Sequence, residues 1–451
     1  MASKGKTWKL RPGNLDLENS LSETFGISKY TARLLVNRGL DSIEKVKSFL
    51  NPDIQELHDP YLLPDMKEAV DRIELAIENG EPILIYGDYD VDGITGVSLL
   101  ITYLRYMGAR VAYHIPKRLD EGYGLNFEAI QKAYDKGFKL IVTVDCGISA
   151  HEEVEKAKLL GLDVIITDHH EPSLMMPVCV AVVNPKLSGS NYPFQFLAGV
   201  GVAFKLCQAL WENRNKPSGV LEPMNYIELV AFGTVADVVP LLGENRVIVK
   251  YGLEKMNRSA IPGMRALIDV SGKSGKEITS GTISFVFAPK VNACGRLGDP
   301  GLGVKLLLSR DFQEVSEIAL KLNEENIRRQ KIEAEILKDA MKMLKEFDST
   351  DTKGIVLASK AWHTGVIGIA ASKIAELTNK PTFLISIDSE GVGKGSGRSV
   401  SGFDLYSALN ESSDLLIKYG GHSQAAGLSI NASDIDAFRC RFNEIASNVL
   451  S

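Results

Sequence analysis

Several common signatures are missing from this chain. Its five cysteines (Cys146, Cys179, Cys207, Cys294 and Cys440) are scattered, odd in number and never in C-x-x-C spacing. That argues against structural zinc and against a disulfide framework, and it fits a reducing cytosol. The opening Met1-Ala2-Ser3-Lys4-Gly5-Lys6-Thr7-Trp8 lacks the apolar core of a signal peptide, and no apolar run is long enough to span a bilayer. Excess positive charge is missing too. The 51 Lys and Arg against 57 Asp and Glu leave a net charge of -6, which argues against a basic coat for duplex DNA but leaves room for a local basic groove. Nucleotide-binding glycine signatures are incomplete. Gly272-Lys273-Ser274 ends like a P-loop, but Leu267 stands where its first glycine belongs, and Gly199-Val200-Gly201 lacks the third glycine of a dinucleotide fingerprint. Neither supports ATP or NAD use.

What is present is ordinary for a globular protein: 451 residues, 45% apolar and 24% charged. That is enough for two or three domains around large cores. The chain has no internal repeat or low-complexity tract. Residues 1–60 read as a helical, partly basic N-terminal region punctuated by Pro52 and Pro60. From about 65 to 185, strand and helix patterns alternate as in a parallel α/β sheet, with a helix from Ile94 to Met107 ended by Gly108. The first α/β domain, with a helical extension, is set at 61–310. A long helix over 311–348 carries Val315, Ala319, Leu322, Ile332, Ile336, Ala340 and Leu344 at helical spacing, with a polar break near Asn323 to Gln330. It is expected to act as a strut whose middle packs on neither domain. Residues 349–451 form a second, smaller α/β unit with strands at Gly354–Ala358 and Thr382–Ile387.

Three apolar runs each close on acidic or histidine residues. Pro82-Ile83-Leu84-Ile85 leads into Tyr86-Gly87-Asp88-Tyr89-Asp90-Val91-Asp92-Gly93. Leu140-Ile141-Val142-Thr143 leads into Val144-Asp145-Cys146-Gly147. Val164-Ile165-Ile166 leads into Thr167-Asp168-His169-His170. Short bounded apolar runs read as buried parallel strands, and open α/β sheets bind ligands outside the carboxyl ends of their strands. One sheet edge would then collect five Asp and two His, with Asp237 as a further candidate. An EF-hand reading fails: counting Asp88 as position one, position twelve is Leu99 rather than Glu, and a strand precedes the loop. An acidic turn facing water does not explain the repeated strand-end Asp or the paired histidines. Crowded carboxylates repel, and two divalent cations nearly balance them. Carboxylate and water suit magnesium or manganese, and imidazole shifts the balance toward manganese. Two such ions lower the pKa of water and stabilise an in-line displacement at phosphorus.

These motifs resemble the DHH phosphoesterase superfamily, and within it the RecJ family of 5′-to-3′ exonucleases specific for single-stranded DNA. The resemblance extends through Phe49-Leu50-Asn51-Pro52, Ile115-Pro116-Lys117-Arg118, Glu121-Gly122-Tyr123-Gly124-Leu125, Val235-Ala236-Asp237-Val238-Val239-Pro240-Leu241, Asn292-Ala293-Cys294-Gly295-Arg296-Leu297 and Gly420-Gly421-His422. It implies a parallel-sheet DHH domain joined by the long helix to a DHH-associated C-terminal domain, with two Mn2+ or Mg2+ ions per active site. Asp90 and Asp145, with Asp88 nearby, would bind the first ion. Asp92, Asp145, His169 and Asp237 would bind the second, so Asp145 is shared. His170 would contact the scissile phosphate and Asp168 would orient a histidine, which makes His170, Asp145 and Asp168 the catalytic set. Tyr86 stands where some members have His, leaving the first ion less completely ligated.

The resemblance also implies a 5′-phosphate site at Arg118, Ser396 and Arg398, and substrate contacts from Asn292, Arg296 and His422. Arg offers a fork that fits phosphate. The glycine-rich Gly393–Ser399 stretch reads on composition as a solvated loop. Tyr123 and Phe403 are either base-stacking residues or core. The basic stretch Lys29 to Arg38 reads best as a solvated helix face.

The expected protein is a cytoplasmic, monomeric two-metal exonuclease that takes single-stranded DNA into a cleft between its α/β units. Single-strand-binding protein and a RecQ-type helicase are partners implied by the family alone. One rival is a DHH phosphodiesterase of short oligoribonucleotides or cyclic dinucleotides. The other is a non-enzymatic scaffold, which the nearly complete ligand set disfavours. The expectation includes the absence of the OB-fold that usually follows in the family, and hence weak grip on long strands.

Overall fold

The three acidic strand ends lie side by side because their strands end level. In the computed structural model, β1 (Ile83–Gly87), β2 (Val111–His114), β3 (Leu140–Val144), β4 (Asp163–Thr167) and β5 (Ala181–Val183) form a sheet in the order β2-β1-β3-β4-β5, with every pair parallel. Gly87 is paired with Val144, and Val144 with Thr167. The next residue of each strand is therefore Asp88, Asp145 and Asp168 in one row. The structure describes residues 11–117, 121–122, 124–173, 175–214, 222–347 and 352–450.

This sheet belongs to the first of two compact units, which holds the N-terminal region, Gly124–Ala260 and Lys276–Ser284. β1 and β3 are buried along their whole length, as expected of strands covered on both faces. On one face Leu84, Ile141, Val164 and Ile166 pack with Ile130 and Ala133 of the helix Phe127–Asp135 and Val154 of the helix His151–Leu159. On the other lie the helices Val91–Tyr106 and Gly199–Asn213, close enough that a Cβ on Gly96 would come 2.5 Å from Val144 Cγ1 and 3.3 Å from Val200 Cα. The Val91 helix begins three residues before the Ile94 start read from hydrophobicity. The Asp90 side chain caps it, accepting from the amides of Asp92 (2.9 Å) and Gly93 (3.2 Å). Upstream, the helices Leu15–Phe25, Lys29–Val36 and Ile43–Leu50 share a small core of Leu21, Ala32, Leu35, Leu40 and Val46.

The second unit contains Ile261–Gly275 and Phe285–Ser451. Packing thus divides the chain elsewhere than at residue 310. The helices Pro262–Val270, Ala288–Leu297 and Gly301–Leu308 pack on the long helix Phe312–Phe347 and belong with it. At 36 residues that helix spans about 54 Å, but it is not a strut with a bare middle. One face of its polar stretch is packed: Lys290 Nζ donates to Asn323 Oδ1 (2.7 Å), Asn326 is buried, and Arg329 pairs with Oε2 of buried Glu333 one turn on (2.7 Å) while Lys373 takes Oε1. Glu324, Arg328 and Gln330 on the other face are exposed.

The unit's sheet has the order β6-β7-β8-β10-β9: β6 (Ile355–Ser359), β7 (Thr382–Ile387), β8 (Val392–Arg398), β9 (Lys418–Gly421) and β10 (Ala425–Asn431). β6 and β7 are parallel and the remaining pairs antiparallel. The Gly393–Ser399 stretch is not a loop. Most of it is β8, the middle strand of this sheet. A Cβ on Gly393 would come 2.7 Å from Ile385, on Gly395 2.8 Å from Leu428, and on Gly397 2.4 Å from Phe383. The alternate glycines admit the core side chains of neighbouring strands and turn Lys394, Ser396 and Arg398 to the opposite face. Phe403 is core as well, edge-to-face with Phe442 and 4% exposed, which removes it as a stacking residue.

Candidate metal centre and substrate contacts

Asp92 is held by backbone amides from a distant helix. It lies in the first turn of the Val91 helix and is almost wholly buried. Its Oδ2 accepts from the Gly199 amide (2.6 Å) and its Oδ1 from the Val200 amide (2.8 Å). These are first-turn amides of the Gly199 helix, which have no partner within the helix, so a helix N-terminus faces a carboxylate. The Gly199-Val200-Gly201 segment, no dinucleotide fingerprint, therefore has a role that the sequence reading missed. The signal was a glycine pair opening an apolar helix, but its target could not be read.

Asp145 follows β3 with φ of 61°, a left-handed conformation uncommon outside glycine. Gly199 makes this possible: a Cβ there would lie 2.6 Å from Asp145 Cβ. His169 Nε2 stands 3.1 Å from Asp145 Oδ1, 3.8 Å from Asp92 Oδ2 and 3.7 Å from Asp237 Oδ2. Asp237 arrives at the C-terminal end of the helix Ile227–Ala236, which comes close because a Cβ on Gly233 would meet Thr95 Oγ1 at 2.3 Å and Asp92 Oδ1 at 2.9 Å. Asp168 sits behind the histidines. Its Oδ1 accepts from the amides of His169 (2.7 Å) and His170 (3.1 Å) and pairs with His170 Nδ1 (2.7 Å), while Oδ2 accepts from the Ile148 amide (3.0 Å).

Among the described residues, three groups of ligand atoms each fall within 4.8 Å: Asp88, Asp90 and Asp145; Asp92, His169 and Asp237; and Asp145, His169 and His170. Asp145 thus stands between two sets. The donors fit divalent cations. His169 Nε2 is buried and makes no well-formed hydrogen bond among the described residues. Without cations the carboxylates crowd one another. Burial, then Asp237 and Asp90, push Asp92 well above the carboxylate range, and burial with Asp92 and Asp90 does the same to Asp145. Burial and Asp90 raise Asp237 to about 7, and burial with His170 lowers His169 to about 4. Asp168 behaves oppositely. Burial works against it, but its bond to His170 holds it below the usual range. Bound cations would replace the protons on the crowded oxygens.

Tyr86 offers no ligand in these groups. Its buried hydroxyl donates to the Gly124 carbonyl (2.8 Å) and accepts from Asn126 Nδ2 (3.0 Å).

The expected substrate contacts divide differently. Arg118 and Tyr123 lie outside the described residues. Ser396 and Arg398 are neighbours on one face of β8, with Arg398 Nη1 donating to Ser396 Oγ (3.2 Å). The first turn of the helix Ile367–Thr378 lies over them, since a Cβ on Gly368 would come 2.9 Å from Ser396 Oγ and 3.2 Å from Arg398 Nη2. Asn292 and Arg296 are half-buried on the helix Ala288–Leu297, where Arg296 Nη1 lies 3.4 Å from the Gly365 carbonyl. His422 is exposed at the β9–β10 turn, its amide donating to Ala425 (2.9 Å).

Two family models match: the DHH family N-terminal domain over residues 82–234 and the DHHA1 domain over 351–448. The chain is 43% identical over its whole length to the single-stranded-DNA-specific exonuclease RecJ of Bacillus subtilis, spanning 56% of that protein. To the enzyme of the same name from Escherichia coli it is 36% identical, covering 93% of this chain and 74% of that one. Among solved structures it matches RecJ of Thermus thermophilus in complex with Mn2+ (TM-score 0.84, 34% identity, 97% of this chain and 62% of that one). It also matches an exonuclease RecJ bound to manganese (TM-score 0.76, 38% identity, 85% of this chain and 95% of that one). With a DHH and a DHHA1 domain both matched, and by the identity and coverage of these relatives, the chain belongs to the RecJ family.

Proposed function

We propose that this chain is a divalent-metal-dependent 5′-to-3′ exonuclease that hydrolyses single-stranded DNA to 5′-mononucleotides. The observation that carries the reading is Asp145, held between two carboxylate and histidine sets at the level ends of β1, β3 and β4. In this reading Asp88, Asp90 and Asp145 hold one cation, and Asp92, Asp145, His169 and Asp237 hold the other. When bound, Mn2+ or Mg2+ lowers the pKa of coordinated water and neutralises charge on the phosphoryl oxygens. The chain's own residues do the rest. The Gly199 and Val200 amides orient both oxygens of Asp92. Asp168 fixes the His170 ring through Nδ1, so His170 is presented to the scissile phosphate in one orientation. Ser396 and Arg398, with Arg118, grip the terminal 5′-phosphate and set the polarity of digestion.

The test is digestion of end-labelled single strands, 5′-phosphorylated or 5′-hydroxyl, with Mn2+, Mg2+ or EDTA. Release of 5′-mononucleotides from the 5′ end, abolished by EDTA, is expected. Cleavage restricted to dinucleotides would instead favour a phosphodiesterase of short oligonucleotides.

A further inference from the structure

The helix carrying Asn292 and Arg296 starts earlier than its Ala288–Leu297 span. Ser280–Thr282 and a π-helical turn at Ile283–Phe287 run directly into it. Such turns are rare and concentrate at functional sites. Along this helix Phe287, Ala288, Lys290, Val291, Ala293, Cys294 and Gly295 are buried. Phe285, Pro289, Asn292 and Arg296 are not, nor are Val286 and Leu297 beside them; the first four recur at intervals of four, three and four, which is one helix face. Phe285 is 83% exposed. The fold gains little from a phenyl ring so placed.

The stripe is continuous with the phosphate site inside the same unit. Arg296 reaches the Gly365 carbonyl, and a Cβ on Gly365 would come 2.3 Å from the Arg296 carbonyl. Three residues on, Gly368 lies against Ser396 and Arg398. The path therefore runs from Arg398 past Arg296 and Asn292 to Phe285. Its helical part is about 16 Å long at 1.5 Å per residue, the length of about five stacked nucleotides at 3.4 Å each. A cationic guanidinium at one end of the stripe and an open aromatic ring at the other suit a single strand, whose phosphates need charge and whose bases need a stacking surface.

We propose that Phe285 is a base-stacking platform for single-stranded DNA, engaging a base about five or more nucleotides from the phosphate held at Arg398. This rests on the exonuclease reading and adds a length register to it. Bases closer to the end would not reach the ring, so its contribution would appear only on longer strands.

The experiment compares KM for a 5′-phosphorylated trimer and a 12-mer of one sequence in Mn2+. Phe285→Ala should raise KM for the 12-mer about tenfold relative to the trimer, Phe285→Trp should restore it, and Phe285→Leu should not. The Mn2+-induced rise in Tm checks that each variant is folded. An equal change on both lengths, or full restoration by Leu, overturns the stacking role alone. Inertness of the unsubstituted chain on strands of every length, with its Mn2+-induced rise in Tm intact, overturns the exonuclease reading and this inference with it.

Discussion

The backbone amide of Gly199 donates a 2.6 Å hydrogen bond to Oδ2 of Asp92, 107 residues earlier in the chain. That contact ties the helix opening at Gly199 to the carboxylate at the start of the Val91 helix. The same glycine leaves room for Asp145. Gly199→Ala should therefore disturb two candidate ligands at once. Overpacking of this kind costs about 1–3 kcal/mol. A lowered urea midpoint together with weaker Mn2+ binding is expected, and loss of stability with normal Mn2+ affinity would separate Gly199 from the site.

Cations bound to the folded state should stabilise it. At a hundredfold excess over Kd the gain is about 2.7 kcal/mol, so Mn2+ should raise Tm and EDTA should reverse the rise. Asp145→Asn should remove most of that rise and lower turnover roughly a thousandfold or more, since it weakens both ligand sets. Near-normal turnover in a folded Asp145→Asn protein is the result that sinks the site assignment.

Arg398→Ala should weaken binding of a 5′-phosphorylated end by about 1.5–3 kcal/mol, the range for a hydrogen bond to a charged group. The readout is the ratio of KM for 5′-phosphate and 5′-hydroxyl strands, which should fall toward unity. Equal losses on both strands would mean that Arg398 supports the sheet instead.

Lys205 and Glu244 form an ion pair of 2.6 Å with both side chains fully buried, and Lys205 also donates to the His58 carbonyl (2.7 Å). Glu244 accepts further from the His58 amide (2.9 Å) and from the Tyr192 hydroxyl. Lys205→Met would strand a buried carboxylate and should cost about 3–5 kcal/mol, read by urea denaturation. Lys205→Met combined with Glu244→Leu should cost less than the single change, because no charge is left unpaired.

Val238, directly after Asp237, has φ of 66° and is 81% exposed. A β-branched residue is strained there, by about 1–2 kcal/mol, and burial does not offset it. Val238→Asn should raise the urea midpoint by an amount equivalent to about 1 kcal/mol. A fall would show that the valine side chain makes a contact that stabilises the fold.

The acidic strand ends were legible because their signal is local. A run such as Leu140 to Thr143 is apolar at every position only if both faces are covered, and the residue after it must leave the sheet at its carboxyl edge. Sheet class, the row of Asp88, Asp145 and Asp168, and the helix after Asp90 follow from such patterns. Three things waited for the tertiary structure. Nothing near Asp92 announces that Gly199 and Val200 will cap it, since that depends on where a distant helix starts. Gly393, Gly395 and Gly397 look like a loop until Ile385, Leu428 and Phe383 are seen filling the space that their missing side chains leave. The polar middle of the long helix looks solvated all round until Lys290 is found on Asn323 and Asn326 is found buried. Period and composition report what a residue is and how often its kind recurs. Which atoms it meets is set by contacts between segments far apart in the chain, and only the packed fold determines those.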